Sequence, residues 1–139
     1  LQGRVLRVFL DTNVLVSAFA TRGICTDIVT VVLSEHQLVT GEAVLSELKR
    51  VLTKKMKLPA AAVTEIEALL RREAVVVSHP ADPGVQLRDQ DDVLVLGEAI
   101  EGLASVIVTG DRDFLDVADQ LPIETLSPRV FWEKLQRRD

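Results

Sequence analysis

The chain alternates short apolar runs with longer segments in which apolar residues recur every three or four positions. The first run, residues 5–10, is mainly apolar and stops at Asp11, which predicts a buried strand. Similar runs predict further strands over residues 37–40, 74–78, 105–109 and 123–126. Helical spacing predicts helices between them, over residues 14–19, about 26–35, 42–55, 59–72, 93–103 and 113–117, and from Pro128 onward.

Three helix starts carry residues that favour capping. Thr26 or Asp27 can cap the second helix, and Asp91 or Asp92 can cap the helix over 93–103. Ser127 precedes a proline, which is typical of a cap followed by the first helical position. Residues 79–92 lack any periodicity and predict one long loop, a kind of segment that is often functional.

Alternation of strands and helices predicts an α/β fold. We expect a three-layer sandwich in which a mostly parallel sheet of four to five strands is flanked by helices. A chain of 139 residues fits one domain, 1–139. Ligands of open α/β sheets bind at the carboxyl ends of the strands, and Asp11 stands at such an end.

Composition narrows the possible partners. Charged residues interrupt every apolar run before the roughly 18 residues of a membrane span, so we expect no membrane segment. The first residues do not resemble a cleavable signal peptide, so we expect a cytoplasmic protein. Cys25 is the single cysteine, which excludes an internal disulfide and a thiolate zinc cluster; we expect it to fill a helix face. A net charge of −5 argues against bulk electrostatic binding of nucleic acid, so a polyanion would need a bridging cation.

Acidic residues occur where structure alone does not require them. Asp11 follows the first strand, and Asp111 and Asp113 follow the strand over 105–109. Asp92 stands at a helix start, and Glu47 lies beside the apolar stripe of its helix, which predicts a half-buried position. In a parallel sheet the strand ends and the following helix starts meet at one edge, so these acids can converge.

Converging carboxylates repel one another unless a cation is present. Oxygen ligands of this kind favour Mg²⁺ or Mn²⁺, which can activate water for attack on a phosphodiester. The two histidines, His36 and His79, have neither the spacing of a zinc site nor that of a catalytic triad. Arg112, between two of the acids, is our candidate for a contact to substrate phosphate.

Four motifs, in order along nearly the whole chain, resemble those of the PIN-domain ribonucleases, in particular the branch of toxins from toxin–antitoxin pairs. They are F-L-D-T-N-V-L-V-S-A, the glutamate of V-L-S-E-L, R-D-Q-D-D-V-L-V-L and I-V-T-G-D-R-D-F-L. The resemblance implies metal-binding and catalytic roles for four acids and an optional fifth metal ligand: Asp11, Glu47, Asp92 and Asp111, with Asp113. It also implies that Asn13, Ser17 and Thr109 support them by hydrogen bonding.

In the third motif Asp89, Asp91 and Asp92 compete for one role. We favour Asp92 because the family's acid precedes a buried aliphatic residue by three positions, and Val95 stands there. Glu98 departs from the pattern, because the family often has a small or hydroxyl residue at that position.

The resemblance implies an endoribonuclease that uses Mg²⁺ or Mn²⁺, prefers single-stranded RNA and leaves a 5′-phosphate and a 3′-hydroxyl. It further implies a toxin held inactive by a small antitoxin, and a homodimer. One alternative is a catalytically degenerate PIN-like module that binds protein or RNA. Another is a haloacid-dehalogenase-like phosphatase, although that family has a second aspartate where Asn13 stands.

Simpler interpretations of the same residues stay open. Asp11 can merely cap a helix, and Glu47 can pair with Arg50 one turn away. At least one of the three aspartates of the third motif is expected to be a plain helix cap. The basic clusters at residues 54–57 and 71–72 are expected to be solvated helix ends.

Overall fold

The computed structural model describes residues 4–137. Its described part contains five short strands: β1 Arg7–Leu10, β2 Gln37–Gly41, β3 Val75–Val77, β4 Val106–Val108 and β5 Glu124–Leu126. Seven α-helices alternate with them: α1 Thr12–Ala20, α2 Ile24–Glu35, α3 Glu42–Lys54, α4 Ala60–Glu73, α5 Gln90–Glu101, α6 Arg112–Asp116 and α7 Pro128–Gln136. The predicted α/β class is confirmed.

The strands form one sheet in the order β3-β2-β1-β4-β5, and every recorded pairing is parallel. Phe9 of β1 pairs with Val39 of β2 on one side and with Ile107 of β4 on the other, so β1 is the central strand. The chain runs from β1 toward one edge of the sheet and then returns to β4 on the other side. Residues that follow β1 and β4 therefore lie next to each other at the carboxyl edge, where such folds bind ligands.

The core lies on both faces of this sheet. Phe9, Phe114 and Phe131 are among the largest fully buried side chains. Helix α1 packs against α2 and α3, and α5 packs against β2. Cys25 is buried as expected, and Trp132 packs half-buried against the core.

Two predicted caps are wrong. Helix α2 begins at Ile24 after Gly23, and the Thr26 hydroxyl instead donates to the carbonyls of Ala18 and Thr21. Helix α5 begins at Gln90, three residues before the predicted start. Its cap is Asp89, whose Oδ1 accepts a hydrogen bond of 2.8 Å from the N–H of Asp91. The cap of α7 is confirmed, because the Ser127 hydroxyl accepts from the N–H of Val130.

Within residues 4–137 no single helix is long and apolar enough to cross a membrane. Helices α1 and α2 pass this test of length and composition only when taken together, and a bend of 103° separates them.

Candidate active site

Asp11 is the most firmly held acid at the carboxyl edge. It caps α1 directly after the central strand and is only 6% exposed. Its carboxylate accepts hydrogen bonds from the Thr12 N–H at 2.7 Å, the Thr109 hydroxyl at 2.8 Å and the Asn13 amide at 3.2 Å. Burial raises the pKa of Asp11, these three hydrogen bonds oppose the rise, and the charge of Asp111 adds to it.

Asn13 and Thr109 join the ends of β1 and β4. The side-chain oxygen of Asn13 accepts a hydrogen bond of 2.7 Å from the N–H of Gly110, while its amide donates to Asp11. Thr109 is fully buried, and its hydroxyl donates to Asp11 and accepts from the N–H of Asp111. The network fixes the Asp11 carboxylate relative to the turn that carries Asp111.

Asp92, in the first turn of α5, is half-buried. Burial is the main reason that its pKa rises to about 7, and the negative charges of Asp111, Asp89, Asp11 and Asp91 raise it further. A carboxyl group whose pKa is raised toward neutral pH by burial and by neighbouring carboxylates is typical of functional sites.

Asp111 and Asp113 stand at the start of α6. Asp111 caps this helix, and its Oδ1 accepts from the N–H of Asp113 at 3.0 Å. Asp113 and Arg112 are both exposed. Asp113 therefore borders the site rather than lying inside it.

Glu47 is exposed, which corrects the predicted half-buried position. Its two oxygens accept hydrogen bonds of 3.1 and 2.7 Å from the Arg50 guanidinium, as the simpler interpretation expects. This contact lowers the pKa of Glu47. Glu47 lies on the solvent side of the apolar stripe of α3, whose buried positions are Val44, Leu45, Leu48 and Leu52.

Ser17 does not support the acids as predicted. It lies near Asn13 and Asp111 in a shallow groove, but its hydroxyl is 3.4 Å from that of Thr21 and has no recorded hydrogen bond to an acid.

The acids converge on a cavity of about 320 Å³ between α3, α5 and the ends of β1 and β4. Six carboxylates line it: Asp11, Glu47, Asp89, Asp91, Asp92 and Asp111. A second cavity of about 350 Å³ shares Asp89, Asp92 and Asp111 and adds Asp113. Its other walls include apolar side chains from the loop over 79–89 and from the segment after α6, namely Val85, Leu87, Val117 and Leu121.

The chemistry of the cavity fits a hard divalent cation. In residues 4–137 no three acidic, histidine or cysteine side chains are placed as a ready set of metal ligands. However, Mg²⁺ keeps several waters and commonly uses only one or two protein carboxylates. Burial raises the pKa of Asp92 most, and the neighbouring negative charges raise it further; a bound cation would relieve this repulsion between the carboxylates.

Sequence reasoning left the roles of two residues open. Asp89 was one of three equivalent candidates for the third motif, and only the observed helix start identifies it as the cap of α5. Glu98 is 1% exposed, and its Oε2 accepts a hydrogen bond of 2.7 Å from the N–H of Ala43 at the start of α3. A signal for this role was present, since Glu98 interrupts the apolar positions Val95 and Ala99 of its helix.

Comparison with known proteins agrees with this geometry. The sequence matches the family model described as PIN domain over residues 7–113. Among solved structures, the fold is similar to a chain in the crystal structure of VapBC2 from Rickettsia felis bound to a DNA fragment from their promoter. The TM-score is 0.62 at 16% identity, covering 88% of this chain and 98% of that one. No curated protein matches the sequence.

Proposed function

The chain belongs to the PIN-domain family, and from this premise we propose that it is a metal-dependent endoribonuclease, the cytoplasmic toxin of a toxin–antitoxin pair. The observation that carries the proposal is the convergence of six carboxylates on one cavity at the carboxyl edge of the sheet. We assign RNA as its substrate, Mg²⁺ or Mn²⁺ as its cofactor, and a small antitoxin and a second copy of the chain as its partners. The likeness to VapBC2 supports the fold that this assignment requires.

Asp11, Asp92 and Asp111 would hold the cation, with Glu47 and Asp113 completing the set at the border of the cavity. When bound, a divalent cation lowers the pKa of water and stabilises charge on a phosphodiester. Asn13 and Thr109 keep the Asp11 carboxylate in one orientation through their hydrogen bonds.

The remaining residues act on the substrate and on the protons of the site. Below about pH 7 the Asp92 carboxyl holds a proton, which it must release before it can act as an anionic ligand. Arg112 is exposed beside Asp111, and its guanidinium group is expected to contact a phosphate of the RNA. The second cavity, with its apolar wall, leaves room for the strand beyond the cleaved bond.

One alternative retains specific support. The pairing of both Glu47 oxygens with Arg50 favours a PIN-like module that binds a partner without metal. A phosphatase has less support, because Asn13 occupies the position of the required second aspartate and is engaged with Asp11 and Gly110.

Calorimetric titration with Mn²⁺ distinguishes the metal-dependent nuclease from the metal-free binding module. We expect heat of binding for the wild type, strong loss for Asp11→Asn, and wild-type behaviour for Glu101→Gln, an exposed carboxylate at the far end of α5. Cleavage of a labelled single-stranded RNA, with sequencing of the new ends, should show 5′-phosphates in the wild type only with metal. Equal and negligible heat in wild type and Asp11→Asn, with no cleavage, would reject the nuclease proposal.

A further inference from the structure

Glu98 is a buried carboxyl group outside the acidic cavity. It lies on α5 and is 1% exposed. One oxygen, Oε2, accepts a hydrogen bond of 2.7 Å from the N–H of Ala43, and the other, Oε1, is buried without a hydrogen-bond partner in the described structure. Burial raises the pKa of Glu98, while its contacts with the backbone of Ala43 and Val44 oppose the rise. An apolar side chain would fill this place at lower desolvation cost, so the carboxyl group requires a specific reason.

The reason lies at the start of α3. The residue before this helix, Gly41, offers no side-chain cap, so the first N–H groups of α3 need an acceptor from elsewhere. Glu98 supplies it from a neighbouring helix, and a carboxylate suits the positive end of the helix dipole. Gly41 also makes room for it, because a Cβ at this position would collide with the Glu98 carboxyl carbon.

The two helices joined in this way each carry an acid of the cavity. Glu47 follows Ala43 by four residues, one turn further along the same face of α3. Asp92 precedes Glu98 by six residues on α5. Both acids line the cavity, as do Ala43 and Val95 from the same two helices.

We propose that Glu98 is a positioning residue, which ties the start of α3 to α5 and thereby sets Glu47 relative to Asp92 in the candidate metal site. The inference rests on the proposed function, since it concerns the same site. It adds a residue that does not line the cavity and acts through its hydrogen bond to the start of α3.

The test is a double-mutant cycle with Mn²⁺ affinity as the readout. Glu98→Leu removes the acceptor, whereas Glu98→Gln keeps an oxygen for the Ala43 N–H. Loss of such a supporting contact commonly weakens metal binding by about 10 to 100-fold, so we expect at least about tenfold for Glu98→Leu. We expect Glu98→Gln to stay within about threefold of the wild type, because the hydrogen bond survives.

The second arm of the cycle uses Glu47→Gln. If Glu98 acts through the placement of Glu47, then Glu98→Leu should cost less than about twofold once the Glu47 charge is gone. An equal loss in both backgrounds would overturn the inference, since it would indicate general loosening of the fold. Circular dichroism checks folding, and if Glu98→Leu does not fold, Glu98→Asp, whose shorter side chain withdraws the carboxylate, replaces it in the cycle.

The outcomes distinguish this inference from the proposed function. Wild-type Mn²⁺ affinity in Glu98→Leu, with normal binding by the wild type, overturns only the role of Glu98. Absence of Mn²⁺ binding by the wild type overturns the metal-dependent function and this inference together. Three results together support the inference. Glu98→Leu binds Mn²⁺ more weakly than the wild type, Glu98→Gln keeps nearly wild-type affinity, and Glu98→Leu causes little further loss of affinity in the Glu47→Gln background.

Discussion

The carboxyl group of Asp92 should make the stability of the metal-free protein depend on pH. Its pKa rises from the ordinary 3.8 to about 7, first through burial and then through the charges of Asp111, Asp89, Asp11 and Asp91. The folded state therefore binds a proton at this site that the unfolded chain releases at much lower pH. Asp92→Asn replaces the carboxyl group with a neutral amide of the same shape and removes this difference.

The sign and size follow from proton linkage. The contribution of the Asp92 carboxyl group to the free energy of unfolding is fully present below about pH 4 and is lost as the pH rises through about 7. The gap between the two pKa values corresponds to a ceiling of about 4 kcal/mol. Because Asp92 is only half-buried and solvent screens it, we expect about 1–2 kcal/mol, or a fall in melting temperature of about 4–8 °C for a chain of this size.

Urea unfolding in EDTA at pH 5, 6, 7 and 8 measures the effect. Asp11 and Glu98 also have raised pKa values and act in the same direction, so the difference between wild type and Asp92→Asn isolates Asp92. The wild type should lose stability toward pH 8, and Asp92→Asn should lose less by about 1–2 kcal/mol. Glu101→Gln on the same helix serves as the matched control and should follow the wild type.

One result would refute this reasoning. It is a pH dependence of the free energy of unfolding in Asp92→Asn that equals that of the wild type. With saturating Mn²⁺ the dependence should weaken or reverse, because metal binding requires ionised carboxylates and so stabilises more at higher pH.

Three further substitutions test the network and the helix ends. Asn13→Ala removes the hydrogen bonds to Asp11 and from Gly110. It should lower the free energy of unfolding in urea by about 1 kcal/mol and abolish most RNA cleavage. Unchanged cleavage would contradict the supporting role of Asn13. Gly41→Ala places a Cβ against the Glu98 carboxyl group and should lower the free energy of unfolding by about 2 kcal/mol. Adding Glu98→Ala to the same chain should restore part of this stability. If it restores none, the clash is not with Glu98. Ser127→Ala removes the cap of α7 and should lower the free energy of unfolding by about 1 kcal/mol in urea unfolding, and an unchanged free energy would contradict the capping role of this hydroxyl.

Sequence patterns predicted the sheet well because buried parallel strands leave a strong signal. The run that ends at Asp11 is β1, and the observed strand order places it at the centre of the sheet. The adjacency of Asp11 and Asp111 follows from the same topology, because their strands are neighbours in the sheet. Periodicity therefore predicted the strand ends at which Asp11 and Asp111 lie.

Contacts between helices were beyond the reach of periodicity. Glu98 and Ala43 are 55 residues apart, and their hydrogen bond depends on how α5 crosses the start of α3. The cap of α5 was missed for a more local reason, since Asp89, Asp91 and Asp92 all have the chemistry of a cap and only the backbone turn selects Asp89. The solvent-exposed position of Glu47 likewise depends on the width of the apolar stripe, which spacing alone does not determine.

Helix capping and metal binding are compatible roles for most of these acids. Asp11, Asp89 and Asp111 each cap a helix, but a carboxylate offers about four acceptor positions, so a cap leaves others available. Glu47 differs, because Arg50 engages both of its oxygens. Arg50 is exposed, and ion pairs on the surface hold weakly. A cation shared by Asp11, Asp92 and Asp111 would compete well for Glu47, whereas a metal-free module would leave Glu47 on Arg50. The contribution of Glu47 to Mn²⁺ affinity therefore separates the two functions more sharply than that of any aspartate.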